Sequence, residues 1–422
     1  MKIIHVAPMY TPAVGGAEDH MRAISERLAA RGHEVIVLTA DVSFHEDLWP
    51  GRPGGLPEKE TINGVRVVRM APGGGCVSAM FEAWKRMRGG YRSLRLLFGE
   101  DGLEFLTRRP FLTSLIPTLL RTRADVVTAA NWYWPPVYHA YLAKKLKRFT
   151  LVGIPLFHTA EAWCNQEIYR RMLGACDGVI VNTEHEGNFV RERAATRVMV
   201  GGVGVDPELF RARDGSVIRR RYGLENRLIV GYVGRQAANK GAAELLRAMA
   251  DVWRWNPEVR LVLAGPRAVR DKEMEQTLSR LTPFENERIV RINEFAQTDK
   301  ASIFDAFDVF VLPSTSESFG ISYLEAWLCK KPVVGANIGP TRCVIDDRSD
   351  GLLVDPGQPS DIGRAIIELL SNSAMRRAMG ETGYAKTVSR HTWDQVTDKI
   401  ERLYFSLAAN NRNRQAFAAV ES

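Results

Sequence analysis

Short apolar runs alternate with amphipathic stretches along most of the chain. Residues 3–7 form a brief, mainly apolar run of the type buried on both faces of a parallel sheet. Residues 17–31 then carry Met21, Ile24 and Leu28 on one helical stripe, and Gly32 ends the helix. Residues 34–40 return to an apolar run, so the segment predicts a strand–helix–strand unit and a parallel sheet. Further strands are expected at 65–70, 125–129, 151–157 and 177–182. Residues 72–123 are rich in Gly and Arg without a clean period and are expected to hold helices and a loop.

Gly201, Gly202, Gly204, Asp206, Pro207 and Gly215 cluster and mark a break. The alternation then resumes, with strands predicted at 228–233, 260–264, 289–292, 309–312 and 332–336. Helices are predicted at 242–253, 361–370 and 374–389. In the first of these, Leu245, Leu246, Met249 and Val252 form the core stripe. A last helix is expected over 392–409, followed by a polar, frayed tail from Asn410. Two α/β halves result, and 422 residues suit two domains.

Composition narrows the class. The chain is 45% hydrophobic and 25% charged, as in ordinary globular proteins. No run approaches the roughly 18 apolar residues that span a bilayer, and the first run is too brief for a signal-peptide core. Five scattered cysteines lack metal-ligand spacing and read as reduced thiols, so a cytoplasmic protein is expected. The net charge is +8. Part of it lies in Lys85, Arg86, Arg88, Arg92 and Arg95, interleaved with Trp84, Met87, Tyr91 and Leu94. This segment is either a solvated helix broken at Gly89-Gly90 or a peripheral contact with an anionic membrane. A second basic group is Lys144, Lys145, Lys147 and Arg148. No nucleic-acid recognition motif accompanies either, so nucleic acid is not an expected partner.

Ligands in open α/β sheets bind beyond the carboxyl ends of the strands, so the loops there carry the chemistry. Gly15 and Gly16 precede the first helix, at a spacing that is not the dinucleotide fingerprint, and allow close approach of backbone to ligand. Gly234, Arg235, Lys240 and Gly241 follow the strand at 228–233. An Arg and a Lys five apart can converge on two phosphates, the first as a fork and the second as a point charge; they can also be plain exposed loop cations. After the strand at 309–312, Glu317 and Glu325 frame Ser318, Phe319, Gly320 and Ile321. A tight loop entering a helix offers backbone N–H groups to an anion. The flanking carboxylates would repel an anion and suit hydroxyls instead. Phosphate and hydroxyls together point to a nucleotide-sugar.

These residues resemble the glycosyltransferases of family 4, which have the GT-B fold. The resemblance is carried by Gly15-Gly16-Ala17-Glu18, by residues 203–210, by Gly234-Arg235 with Lys240-Gly241, by Pro313-Ser314 ahead of Glu317 and Glu325, by residues 351–354 and by Trp393. The chain departs from the family at Val203, where an Asn is usual, and at residues 292–295, where a Gly is usual after the strand. The resemblance implies two Rossmann-like domains facing across a cleft. Residues 1–200 would bind the acceptor and 201–391 the nucleotide-sugar. Residues 392–422 would form a helix crossing back to the first domain, with a frayed tail.

The resemblance also implies roles. Arg235 and Lys240 would bind the donor diphosphate, Glu317 the donor sugar and Glu325 the ribose. Ser318, Phe319, Gly320 and Ile321 would line the sugar and a phosphate, with Gly15, Gly16 and Gly234 close to the donor. His158 would be the active-site histidine; beside it the chain departs from the family in reading Phe157-His158-Thr159-Ala160-Glu161, which makes Glu161 an extra polar group toward the acceptor. The implied reaction is retaining, metal-independent hexosyl transfer, with no cofactor, from a UDP-sugar or alternatively a GDP-sugar. The acceptor is a small molecule, a lipid or a glycan. A GT-B epimerase or phosphorylase, or a non-catalytic nucleotide- or lipid-binding protein, stands as the alternative.

Overall fold

The computed structural model describes residues 1–44, 48, 55–73, 111–268 and 271–420, with side chains up to residue 411. The basic segment at 85–95 lies outside the described residues. Residues 1–202 and 393–422 form one compact unit, and residues 203–392 form a second.

In the first unit eight strands make one sheet: β1 (Lys2–Val6), β2 (Glu34–Ala40), β3 (Lys59–Ile62), β4 (Val65–Met70), β5 (Val126–Ala130), β6 (Leu151–Ile154), β7 (Gly178–Val181) and β8 (Val198–Val200). Their order is β3-β4-β2-β1-β5-β6-β7-β8. All pairs are parallel except the β3–β4 hairpin. That hairpin was not anticipated, although Asn63-Gly64 is a strong hairpin signal. Both turn residues have positive φ, 47° and 80°. The strand expected to reach residue 157 stops at Ile154, because Pro155 has no N–H for the ladder and Leu156 has φ +56°.

Helix Trp393–Val420 belongs to this first unit. Val396, Ile400, Leu403, Tyr404 and Leu407 recur at helical spacing and are buried. The helix packs beside Gly16–Ala30, where Arg31 pairs with Asp398 at 2.7 Å and with Glu401 at 2.8 Å. Beneath it the Tyr404 and Thr128 hydroxyls are 2.6 Å apart, and Tyr404 meets His5 Nε2 at 3.3 Å. The frayed tail expected from Asn410 is instead a continuation of this helix to Val420. Within the second basic group, Lys144 binds Asp177 at 2.7 Å, and Lys147 donates to the Leu120 and Thr122 carbonyls. Those two cations therefore fasten loops.

In the second unit β9 (Ile229–Val233), β10 (Arg260–Ala264), β11 (Ile289–Ile292), β12 (Val309–Leu312), β13 (Val333–Ala336) and β14 (Gly351–Val354) form a wholly parallel sheet, ordered β11-β10-β9-β12-β13-β14. The inner strands are buried on both faces, which explains their nearly continuous apolar runs, whereas edge strand β11 is half-buried at Val290 and Arg291. From β9 the chain winds outward to β10 and β11, then returns to the other side as β12. The β9/β12 boundary is thus a topological switch point, where loops diverge and leave room for a ligand. The equivalent boundary in the first unit lies between β1 and β5. Among the described residues no helix is long and apolar enough to cross a membrane.

Candidate active site

The loops after β9 and β12 meet at the switch point of the second unit. After β9 the chain passes Gly234 and Arg235 into the 3-10 turn Ala238–Lys240, which ends at Gly241. Gly241 has φ +74°, and a Cβ there would lie 2.4 Å from the Pro313 carbonyl oxygen. Only glycine fits both the conformation and the contact. The turn is held from two sides. Asp271 accepts from the Ala238 N–H at 2.8 Å, a bond that, with others, lowers its pKa. The Asn239 carbonyl accepts from the Thr315 N–H at 3.2 Å.

This anchoring carries Lys240 onto the β12 loop. Its Nζ donates to Glu317 Oε1 at 2.8 Å and to the Ser316 carbonyl at 2.9 Å. The Glu317 side chain is 10% exposed and that of Lys240 21%. Arg235 is exposed and joins no ion pair among the described residues. Its carbonyl accepts from the Tyr232 hydroxyl at 2.6 Å. Arg235 is thus fixed by its backbone, with its guanidinium in solvent.

Beyond Glu317, Ser318 is half-buried and Phe319 is buried, its ring edge-on to His391 at 5.6 Å. Gly320 has φ +93° and caps helix Ile321–Leu328, its carbonyl accepting from the Tyr323 N–H at 3.0 Å. Glu325 lies one turn into this helix. Its Oε1 meets Lys300 Nζ at 2.5 Å, whereas its buried Oε2 has no partner. A buried acceptor without a donor is costly, and a ligand hydroxyl would remove that cost.

The structure therefore brings Lys240, Glu317 and the loop at 318–321 together, with Glu325 in the same helix. In the first unit Gly15 and Gly16 follow β1 at the β1/β5 switch point, and helix Gly16–Ala30 starts there with Gly15 as its cap. His158 is half-buried beyond the end of β6. Its carbonyl accepts from the Glu161 N–H at 2.8 Å and from Cys164 Sγ at 3.2 Å. Glu161 itself is exposed. Among the described residues no group of three or more His, Cys, Asp or Glu could hold a metal ion.

Two family models match in tandem. Glycosyltransferase Family 4 covers residues 14–209, and Glycosyl transferases group 1 covers residues 216–386. The chain belongs to the family 4 glycosyltransferases. It is 28% identical to the D-inositol 3-phosphate glycosyltransferase of Stackebrandtia nassauensis, over 96% of this chain and 90% of that protein. It is 27% identical to the protein of the same name from Corynebacterium jeikeium, over 96% and 95%. Among solved structures, Anabaena HepE in complex with UDP-glucose superposes with a TM-score of 0.73 at 21% identity, covering 96% of this chain and 100% of that one. Sucrose-phosphate synthase from Thermosynechococcus elongatus gives 0.72 at 20% identity, covering 99% of each. The architecture is GT-B.

Three residues of this glycosyltransferase's site were not foreseen. Lys300 opens helix Lys300–Asp305 and pairs with Glu325, although the two lie far apart in sequence. Gln236 is buried and donates to the Gly265 carbonyl at 2.7 Å, joining the β9 and β10 loops. Asp271 caps helix Lys272–Ser279 while holding the Lys240 turn. Only for Asp271 did the sequence carry a signal, an acidic residue at the start of a helical stretch.

Proposed function

We propose that the enzyme moves a hexose from a nucleotide diphosphate sugar to a phosphorylated polyol, with retention at the anomeric carbon and without a metal ion. The observation that carries this reading is the Lys240–Glu317 pair at the β9/β12 switch point, with the open oxygen of Glu325 in the adjoining helix. Lys240 and Arg235 bind the diphosphate and stabilise the charge that grows on it as the glycosidic bond breaks. The first-turn N–H groups near Phe319, Gly320 and Ile321 add to that field. Glu325 Oε2 accepts from a ribose hydroxyl, and Glu317 holds the sugar once the diphosphate draws Lys240 away. The second unit is thus the donor domain. The first unit holds the acceptor, and Gly15, Gly16 and His158 are its candidate residues for the reaction.

UDP-glucose is the first donor to test, because the HepE complex contains it. D-inositol 3-phosphate is the first acceptor, because relatives matched over nearly the whole chain are named for it. Purified protein is incubated with UDP-glucose or GDP-mannose and with inositol 3-phosphate or free inositol, with and without EDTA. Products are followed by NMR. The expected result is an α-glycoside of the phosphorylated polyol, formed equally well with EDTA. An epimerised or hydrolysed donor with no acceptor product would overturn the transferase reading. A β-glycoside would overturn retention.

A further inference from the structure

The segment that carries His158 is held by a buried carboxylate. β6 ends at Ile154, and Leu156 adopts φ +56°, a conformation unfavourable for a branched side chain. Such a residue persists only where its surroundings fix it. The next residue supplies the fixing. The Phe157 N–H donates to Glu186 Oε1 at 2.8 Å. Its ring is buried against Trp132, Trp163, Tyr169 and Phe189, with centroids 5.5–5.8 Å away.

Glu186 reaches this position from the first turn of helix Glu184–Arg191, which Thr183 caps. Its Oε2 accepts from the Asn182 N–H at 2.8 Å. One carboxylate thus joins the chain just beyond β6 to the chain just beyond β7, two adjacent parallel strands. Glu186 is 1% exposed and forms no ion pair among the described residues. Burial pushes its pKa up to about 7, while its two N–H bonds pull the other way. Burying a carboxylate without a cation is unfavourable, and packing alone would favour an apolar side chain. Its evident effect is to fix two backbone groups, one of which immediately precedes His158.

We propose that Glu186 is a positioning residue for His158: by clamping the Phe157 and Asn182 N–H groups it sets the height and direction of the imidazole at the carboxyl edge of the first unit's sheet. The inference rests on the reading of His158 as the active-site histidine. Glu186 does not touch the reacting atoms. It acts through one peptide group, so its loss changes where His158 sits and leaves donor binding by the second unit as it was.

Glu186→Gln keeps the shape but turns an amide NH₂ toward one of the two N–H donors. With UDP-glucose and D-inositol 3-phosphate, kcat is expected to fall at least tenfold, with the UDP-glucose KM within twofold of wild type. In the His158→Ala background the same change should produce no further loss, because coupled residues are not additive. In the substrate-free protein labelled at histidine, the His158 ring signals should shift or broaden in Glu186→Gln. Near-ultraviolet circular dichroism, which senses Trp132 and Trp163 beside Phe157, verifies folding. Glu186→Met, which removes the charge together with both acceptors, replaces Glu186→Gln if the latter does not fold. Unchanged His158 signals, a wild-type kcat, or losses that multiply in the double variant would overturn the positioning role alone. A wild-type kcat in His158→Ala would overturn the reading of His158 and the inference with it.

Discussion

Lys240 and Glu317 form an ion pair at 2.8 Å. Two largely buried charges are expensive to desolvate, and each is tolerable because of the other. On the proposed reading, a diphosphate would compete for Lys240 and release Glu317 toward hydroxyls, so that one ion pair would serve both halves of donor binding. Lys240→Ala should therefore lower kcat by about two to three orders of magnitude, the scale at which single charge-stabilising groups act. Steady-state turnover of UDP-glucose tests this, with a folded variant verified by circular dichroism. Turnover within threefold of wild type would remove Lys240 from the chemistry. Lys240, Glu317 and Glu325 were legible in the sequence because their loops follow apolar runs at recognisable spacings. Lys300 and Glu186 were not. Their partners come from other strands and helices, and no local pattern announces a contact made only in the folded chain.

Elements followed the hydrophobic pattern where both faces of a strand are buried, as in β10 and β12, whose bounds agree with the apolar runs. The pattern fell short where local chemistry dominates, at the Asn63-Gly64 turn and at Leu156. It also fell short for helix Trp393–Val420, whose polar stretch at 410–415 gave no sign of continuing. That helix is attached by more than apolar contact. Tyr404, fully buried, bridges Thr128 of β5 and His5 of β1. Tyr404→Phe leaves two buried polar groups short of a partner and should cost about 1–3 kcal/mol of stability. Urea unfolding measures this, and a midpoint equal to wild type would show that the hydroxyl bridge contributes nothing.

Three buried histidines and a buried carboxyl give the first unit a pH dependence. Burial lowers the pKa of His5 to about 3 and those of His20 and His139 to about 4, against 6.5 in the unfolded chain. Their contribution to stability is complete above pH 7. It is lost as pH falls below 6.5, because the unfolded chain takes up protons that the folded chain refuses. Glu186 runs the opposite way. Raised to about 7, it penalises the fold as pH rises above 4.5, so acidification from neutrality relieves it. One such carboxyl offsets only part of three histidines. For these four groups together, stability is expected to fall between pH 7 and pH 5 by a few kcal/mol, on the scale of ~1.4 kcal/mol per unit of pKa shift. Differential scanning calorimetry at the two pH values tests this, and equal transitions would contradict the burial of these histidines.

The sequence by itself determined the class of the elements with a clear period, the break between two α/β halves and the residue types suited to phosphate and hydroxyls. These follow from the period of side-chain burial and from ligand chemistry, both of which act locally along the chain. Tertiary structure alone decided which loops meet. Winding outward from β9 in two directions places Lys240 on Glu317, and packing helix Lys300–Asp305 near Ile321–Leu328 pairs Lys300 with Glu325 and leaves one oxygen open. Those contacts join residues distant in sequence, and only strand order brings them within hydrogen-bond reach.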